Sequence, residues 1–487
     1  MMLLSQAAQV LGARMIGADT RFTGVSTDSR RIRTGDLFIA LRGERFDGCE
    51  FAAAALQSGA AAVMVNADSH EANPSLLDPR SSLLLVEDTR LALGRLAAYW
   101  RTQFDIPLAA ITGSNGKTTV KEMLAGILRE AAGSDSAVLA TQGNLNNDIG
   151  MPMTLLQLNA QHCYAVIEMG MNHPGEIDYL THIACPDIAL ITNASGAHLA
   201  GLGTVEAVAH AKGEIFAGLV PHGMAVINAD DEHAPLWRTL AGSHSILEFG
   251  LGQPADVSGQ WRPHGMGLHL DAQTPSGDFS ADLQVPGAHN ARNALAATAV
   301  AIVLKVPLEV IVAGLGKFGG VAGRLQRKAA RHGATLIDDT YNANPASMRA
   351  AIGVLAEAEG RRVFVMGDMG ELGEDAAMLH AGIGTDARSA GIERLLALGD
   401  LSVHAVRAFG CGAEHFERIE DLQRALEDEM DEDTTVLVKG SRFMKMERVV
   451  QFCIGDGKVE EAKDKREGKR ERGCCALPAS SQHGGSR

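Results

Sequence analysis

One short turn carries the clearest chemistry in this chain. The run Ile106-Pro107-Leu108-Ala109-Ala110-Ile111 leads into Thr112-Gly113-Ser114-Asn115-Gly116-Lys117-Thr118-Thr119, and Val120, Met123, Leu124, Ile127 and Leu128 follow at helical spacing. In such a setting glycines let backbone amides approach phosphate oxygens, and the helix N-terminus adds partial positive charge. Lys117 would reach the terminal phosphates, and the Thr118 hydroxyl can ligate Mg²⁺. The spacing Gly-x-x-Gly-Lys-Thr is two residues shorter than the general phosphate-loop pattern, and a bare Gly-Lys-Thr is commonly just a turn. The strand before it and the amphipathic helix after it point to a nucleotide on Gly113, Ser114, Asn115, Gly116, Lys117, Thr118 and Thr119.

A Mg-ATP site needs further oxygen ligands, because Mg²⁺ prefers near-octahedral oxygen coordination. Glu168 ends the run Tyr164-Ala165-Val166-Ile167, at the strand end where open α/β sheets gather their ligands. His198 follows another such run, Asp187 to Thr192, and could share that rim, although a lone histidine is more often structural. Lys212, in Ala211-Lys212-Gly213-Glu214, reads by default as a solvated helix lysine. His289, Asn290 and Asn293 open an alanine-rich helix, where they could read a purine edge or simply cap the helix. Asp339-Thr340-Tyr341-Asn342-Ala343-Asn344-Pro345 sets polar groups after a further strand-like run.

Positioning such residues takes a scaffold of alternating strands and helices. At 487 residues the chain is about three domains long, by the prior of roughly 150 residues each. Residues 1–104 mix strand-like runs (Leu37–Leu41, Ala61–Val65, Leu83–Val86) with alanine-rich helical stretches. From 105 to 316, runs at Ile106–Ile111, Ala137–Thr141, Tyr164–Met169, Asp187–Thr192 and Met224–Asn228 alternate with helical ones, which predicts a mostly parallel, helix-covered sheet. An antiparallel-looking stretch follows from Gly259 to Val285, and Gly316–Gly323 reads as a hinge or a surface loop. Residues 317–453 repeat the rhythm at Leu336–Ile337, Val363–Met366, Leu395–Leu398 and Val436–Val438. From 454 to 487 the composition turns to mixed charge, serine and glycine with no apolar period, which predicts a disordered tail.

Composition narrows the function classes. The net charge, 44 − 59 = −15, disfavours nucleic acid, whose phosphates need a basic footprint. The longest largely apolar stretch, Ala294 to Leu304, stops at Lys305 and is too short to span a bilayer. The N-terminus lacks a basic, then apolar, export pattern, and its Leu4, Ala8, Leu11 spacing is helical. Seven cysteines without metal-type pairing in the body suggest free thiols in a reducing compartment; the adjacent Cys474-Cys475 lies in the tail.

Taken together, these motifs resemble the Mur ligases of peptidoglycan synthesis over roughly residues 20 to 450. Also in that pattern are Asp28-Ser29-Arg30, Gly43-Glu44-Arg45-Phe46-Asp47-Gly48, Gly143-Asn144-Leu145-Asn146-Asn147, Gly323-Arg324 and Lys439-Gly440-Ser441-Arg442. Tyr341–Pro345 with Lys439–Arg442 favours the branch that joins D-alanyl-D-alanine to UDP-N-acetylmuramoyl-tripeptide. The resemblance implies a three-domain α/β enzyme: a central phosphate-loop parallel-sheet domain for ATP, an α/β N-terminal domain for the UDP-sugar, and a Rossmann-like C-terminal domain closing over both.

By the same resemblance Lys117 and the loop amides grip the β- and γ-phosphates, and Thr118 with Glu168 holds one Mg²⁺. His198 and a carbamylated Lys212 support a second ion, since a carbamate turns a lysine cation into an oxygen ligand; Lys117, Lys212 and His198 are the catalytic set. His289, Asn290 and Asn293 face the adenine, and Arg324 and Asp339 reach the nucleotide from the third domain. Substrate-side residues are Ser29, Arg30, Arg45, Phe46, Asp47, Asn144, Asn146, Asn147, Tyr341, Asn342 and Asn344. The γ-phosphoryl of ATP would pass to a substrate carboxylate, and an amine would displace phosphate from the acyl phosphate. The implied enzyme is a cytoplasmic monomer, with lysine or diaminopimelate as the third residue of its tripeptide. A folylpolyglutamate synthase or another Mur ligase is the alternative within the class; a phosphotransferase or nucleotide-gated binding protein is the alternative outside it. The family ending begins at Met446–Gln451, and the tail beyond Ile454 departs from it, as a frameshifted or read-through extension or a basic localisation tail would.

Overall fold

The structure, a computed structural model, describes residues 1–43, 47–72, 81–196, 202–265 and 267–455. Long apolar runs become strands buried on both faces, as parallel sheets require. All five residues of Leu108–Thr112 and all four of Ile188–Ile191 are buried. The central sheet has nine strands, in the order Phe279–Leu283, Gly267–Gln273, Val257–His264, Ser245–Gly250, Met224–Asn228, Ile188–Ile191, Leu108–Thr112, Tyr164–Glu168, Val138–Ala140. Its strands from Val138–Ala140 to Val257–His264 pair in parallel, and the stretch expected to be antiparallel supplies the last two pairings.

Side chains alternate across this sheet. Ala109, Ile111, Val166 and Leu190 pack under the helices Lys117–Ala132 and Ala288–Val303. Leu108, Ala110, Ile167 and Ile191 pack on the other side with Leu93, Leu96 and Ala97 of the helix Thr89–Arg101, so the first region and the central sheet share a core. Thr89–Arg101 follows a five-stranded sheet ordered Arg14–Ile16, Leu83–Val86, Ala62–Asn66, Asp36–Ile39, Gly24–Ser26. The helix foreseen at the N-terminus spans Leu4–Leu11 and ends where Gly12 takes φ 64°, a left-handed cap that glycine adopts without strain.

A third sheet of six strands runs Gln326–Ala329, Thr335–Asp339, Thr434–Lys439, Arg361–Gly367, Arg394–Leu398, Ala413–Phe416. Only its first strand is antiparallel. The edge strands Gln326–Ala329 and Ala413–Phe416 have no apolar run and gave no signal of their own, and the central strand Ser245–Gly250, with only Ile246, Leu247 and Phe249 apolar, was not foreseen. The last described helix, Glu447–Ile454, buries Val449, Val450 and Cys453; the tail expected to be disordered lies, from residue 456, outside the described residues. Among the described residues no helix is long and apolar enough to cross a membrane.

Candidate active site

Parallel register brings the ends of the central strands to one rim. Glu168 pairs with Ile111, and Ile191 with Thr112, so the phosphate-type loop, Glu168 and the segment after Thr192 emerge side by side. The loop conformation needs its glycines: Gly113 has φ 145° and Gly116 φ 81°, and a Cβ on Gly116 would stand 2.5 Å from Asn293 Oδ1. Neighbouring segments pin the loop. Ser114 N donates to Asn193 O at 2.9 Å, Asn115 N to Asn193 Oδ1 at 3.0 Å, and Asn115 Nδ2 to Ser195 Oγ at 2.9 Å. Lys117 Nζ folds back to donate to Gly113 O at 2.6 Å and Ser114 O at 3.3 Å. Burial lowers the pKa of Lys117 and nearby Arg324 adds to that, while Glu168 opposes it.

Thr118, in the first turn of the helix Lys117–Ala132, donates from Oγ1 to Glu168 Oε2 at 2.8 Å. Glu168 Oε1 accepts from Asn146 Nδ2 at 2.7 Å, and Glu168 N donates to Thr141 Oγ1 at 2.9 Å. A buried hydroxyl and carboxylate beside a phosphate-type loop form the hard oxygen donor set that Mg²⁺ takes. Lys212 lies at 0 % exposure, and its Nζ has no hydrogen-bond partner among the described residues. Burial first, and then Lys117, pull its pKa well below the ordinary lysine value, so its amine tends toward the neutral form. It is not the solvated lysine that its helix context suggests. His198 lies outside the described residues, as do Arg45 and Phe46.

His289, Asn290 and Asn293 stand on the first two turns of Ala288–Val303, beside the loop. Asn290 Nδ2 donates to Pro286 O at 2.8 Å and Asn293 Nδ2 to Asn290 Oδ1 at 3.3 Å. His289 Nε2 is buried without a partner among the described residues, and burial with Arg292 and Lys439 nearby lowers this imidazole to about 4.

The third sheet closes the cleft from the opposite side. Arg324 Nη2 donates to Thr118 Oγ1 at 2.9 Å, and the guanidinium lies 4.1 Å from the centre of the Tyr341 ring. Asn344 caps the helix Pro345–Ala356 through Ser347 N and also donates to Asn115 Oδ1 at 2.9 Å. Lys439 Nζ donates to Asp339 Oδ2 at 2.6 Å and to Asn342 O at 2.9 Å. Burial raises the Asp339 pKa, and Lys439 opposes that. A cleft of about 1500 Å³ unites Ser114–Thr119, Asn144, Asn146, Asn147, Glu168, His289, Asn290, Asn293, Arg324, Asp339, Tyr341, Asn342 and Asn344.

Three expected residues in the first region stand apart from this cleft lining. Ser29 and Arg30 lie on the 3₁₀ turn Ser29–Arg31, where Arg30 pairs with Asp28 at 2.9 Å. Asp47 Oδ1 accepts from Cys49 N at 2.9 Å, and its Oδ2 accepts from Ser69 Oγ at 2.5 Å. The cleft also recruits residues that the motifs did not single out. Arg90, on the helix Thr89–Arg101, forms a two-pronged pair with Asp148, and Asp231 accepts from Ala194 N at 2.9 Å. Behind the loop and outside the cleft lining, buried Lys121, one turn beyond Lys117, donates to Thr141 O and pairs with Glu122 at 2.7 Å. A signal existed for Asp230 and Asp231, since both follow the strand Met224–Asn228 at the same rim.

Fold and cleft together define a nucleotide-type α/β ligase scaffold, and the chain belongs to the Mur ligase family. Family profiles described as "Mur ligase family, catalytic domain", "Mur ligase middle domain" and "Mur ligase, glutamate ligase domain" match residues 21–101, 111–301 and 323–442. The UDP-N-acetylmuramoyl-tripeptide–D-alanyl-D-alanine ligase of Escherichia coli K12 is 42% identical over 458 residues, spanning 93% of this chain and 98% of its own. The crystal structure of MurF from Acinetobacter baumannii has a TM-score of 0.85 and 37% identity, covering 92% of this chain and 98% of its own. The MurF ligase of Thermotoga maritima in complex with ADP gives 0.78 and 27%, covering 92% and 99%.

Proposed function

We propose that this chain joins D-alanyl-D-alanine to UDP-N-acetylmuramoyl-tripeptide at the expense of ATP, giving the UDP-pentapeptide, ADP and phosphate. One observation carries the reading: phosphate-type loop, oxygen donors and third-sheet residues share a single cleft in a chain 42% identical to a ligase of that name. Residues 1–104 would hold the UDP-sugar, 105–316 the ATP, and 317–453 would close over both. The enzyme is read as a cytoplasmic monomer.

A carboxylate is a poor electrophile, so ligation needs it activated. Its oxygen attacks the γ-phosphorus of ATP and ADP leaves; the dipeptide amine then attacks the acyl carbon, and phosphate departs with that oxygen. Lys117 would turn from its loop carbonyls to the β- and γ-phosphates, while the loop amides cradle them. Thr118 and Glu168 would hold Mg²⁺, which neutralises phosphate charge during transfer. His289, Asn290 and Asn293 would sit on the adenine side, with Arg324 and Asp339 reaching the nucleotide from above. Asn144, Asn146, Asn147, Tyr341, Asn342 and Asn344 would position the two peptides, so that binding replaces a chance encounter with an oriented one. Closure of the third domain excludes water that would hydrolyse the acyl phosphate.

Lys212 fits the expected carbamate, because a buried amine held toward neutrality is the form that adds CO₂, releasing one proton. With His198 it would then support a second Mg²⁺. Replacing Lys212 by alanine and adding short carboxylates tests this point, with partial rescue expected and none contradicting the carbamate. The function itself is tested by phosphate release from Mg-ATP with the UDP-tripeptide, with and without D-alanyl-D-alanine. Release that requires both substrates supports the reading; release independent of the dipeptide, or none, refutes it.

A further inference from the structure

We propose that the outer face of the antiparallel extension of the central sheet is a separate metal site outside the cleft, taking a divalent transition ion of the zinc type through His264, His269 and Asp282. None of the three lines the cleft. They come from three successive strands, Val257–His264, Gly267–Gln273 and Phe279–Leu283. His269 and Asp282 are direct cross-strand partners, and His264 lies diagonal to His269, two residues beyond its partner Arg262. Sheet register therefore fixes all three on one face, while Leu268, Leu270 and Leu283 turn into the core beneath.

Both imidazoles aim Nδ1 at one oxygen: His269 stands 2.6 Å and His264 3.0 Å from Asp282 Oδ1. The three ligand atoms all lie within 4.8 Å of one another. A tetrahedral ion with bonds of about 2.0–2.1 Å needs donors ~3.3 Å apart, so each of the two nitrogen–oxygen spans needs to open by less than about 1 Å. Two imidazole nitrogens and one carboxylate suit Zn²⁺ and its neighbours and suit Mg²⁺ poorly.

The surroundings are those of a built site. His269 Nε2 stands 3.2 Å from Asp271 Oδ1, and Asp271 in turn accepts from Ser280 Oγ at 2.5 Å. An imidazole that donates from Nε2 to a carboxylate keeps its Nδ1 lone pair for a metal, which is the carboxylate–histidine–metal relay. His269 is only 18 % exposed, while His264 and Asp282 are open to solvent, so the site combines a held ligand with an entry path.

The test titrates the whole chain with Zn²⁺ under excess Mg²⁺, after alkylating its thiols so that cysteines do not compete. One ion per chain is expected to depend on this site, with affinity falling at least tenfold in His269→Ala, His264→Ala and Asp282→Asn. Asp271→Asn should weaken binding roughly tenfold through the relay alone. Bound Zn²⁺ should raise the unfolding midpoint of the parent chain and not that of His264→Ala, an exposed substitution that leaves the strands paired. Ligase activity should be unchanged in all four variants. Equal stoichiometry and affinity in the parent and in His264→Ala/His269→Ala, or no Zn²⁺ bound by the parent, overturns the proposal.

Discussion

On the central side of the cleft, polar groups are fixed by the strands and helix directly beneath them; on the opposite side, Arg324, Tyr341 and Asn344 reach over from segments around the third sheet. Thr118, Glu168 and Asn146 are joined within the central region at 2.7–2.8 Å. Among the described residues, the contacts that join the two sides include Arg324 with Thr118 and Asn344 with Asn115, each 2.9 Å; Glu130 forms an exposed ion pair with Lys317, which caps the helix Leu308–Gly316. An exposed pair is worth little, so the cleft holds together chiefly where its polar groups converge. The floor is held by its own strands and helix, whereas the wall reaches it from segments around the third sheet.

Lys117→Ala should break the floor and produce the largest effect, a fall in kcat of roughly 10³-fold from loss of the charge proposed to turn to the transferring phosphoryl group. Its unfolding midpoint should stay close to the parent's, as circular dichroism would measure. Arg324→Ala removes a wall residue, and a smaller fall of about 10²-fold in kcat is expected with ADP affinity changed less. A loss confined to ADP affinity would make Arg324 part of the floor.

His289 lies where both sides contribute to its surroundings: burial first, and then Arg292 and Lys439, lower it to about 4. Its folded value is below the ordinary 6.5, so the unfolded chain takes up this proton first as pH falls. The stability it permits is full above about pH 6.5 and is lost as pH falls toward 4. Between pH 7 and pH 5 the parent should lose ~1–2 kcal/mol more than His289→Leu in denaturant titrations. Equal losses would mean that closure does not bury this ring. Asn344→Ala should have the smallest effect, about 1 kcal/mol from the lost helix cap, with a several-fold rise in KM for the dipeptide.

Legibility in the sequence follows the same division. The loop at 112–119 and Glu168 were readable because one strand, one turn and one helix impose their pattern within a few residues. In the wall, the polar run Asp339–Asn344 was readable after its strand, but Arg324 and Lys439 were readable only through resemblance, since Lys439 and Leu325, next to Arg324, are over a hundred residues apart and meet at Asp339 only once the third sheet forms. Lys212 misled by local context: a lysine between alanine and glycine on a helix looks solvated, and only the packed fold buries it. Arg90 and Asp148 gave no motif, because their pairing depends on the helix Thr89–Arg101 docking on the central sheet. Apolar runs marked the buried strands well, whereas Gln326–Ala329, half-exposed at a sheet edge, carries no such run.

In the proposed reaction one cleft activates a carboxylate with ATP and then hands it to an amine. Its most direct test uses UDP-N-acetylmuramoyl-tripeptide labelled with ¹⁸O in its terminal carboxylate, together with Mg-ATP and D-alanyl-D-alanine, followed by the mass of the released phosphate. Phosphate carrying one ¹⁸O per pentapeptide formed is the expected result, because the carboxylate oxygen leaves with phosphorus when the amine attacks. Unlabelled phosphate alongside pentapeptide would contradict the acyl-phosphate route and, with it, the roles given to both sides of the cleft.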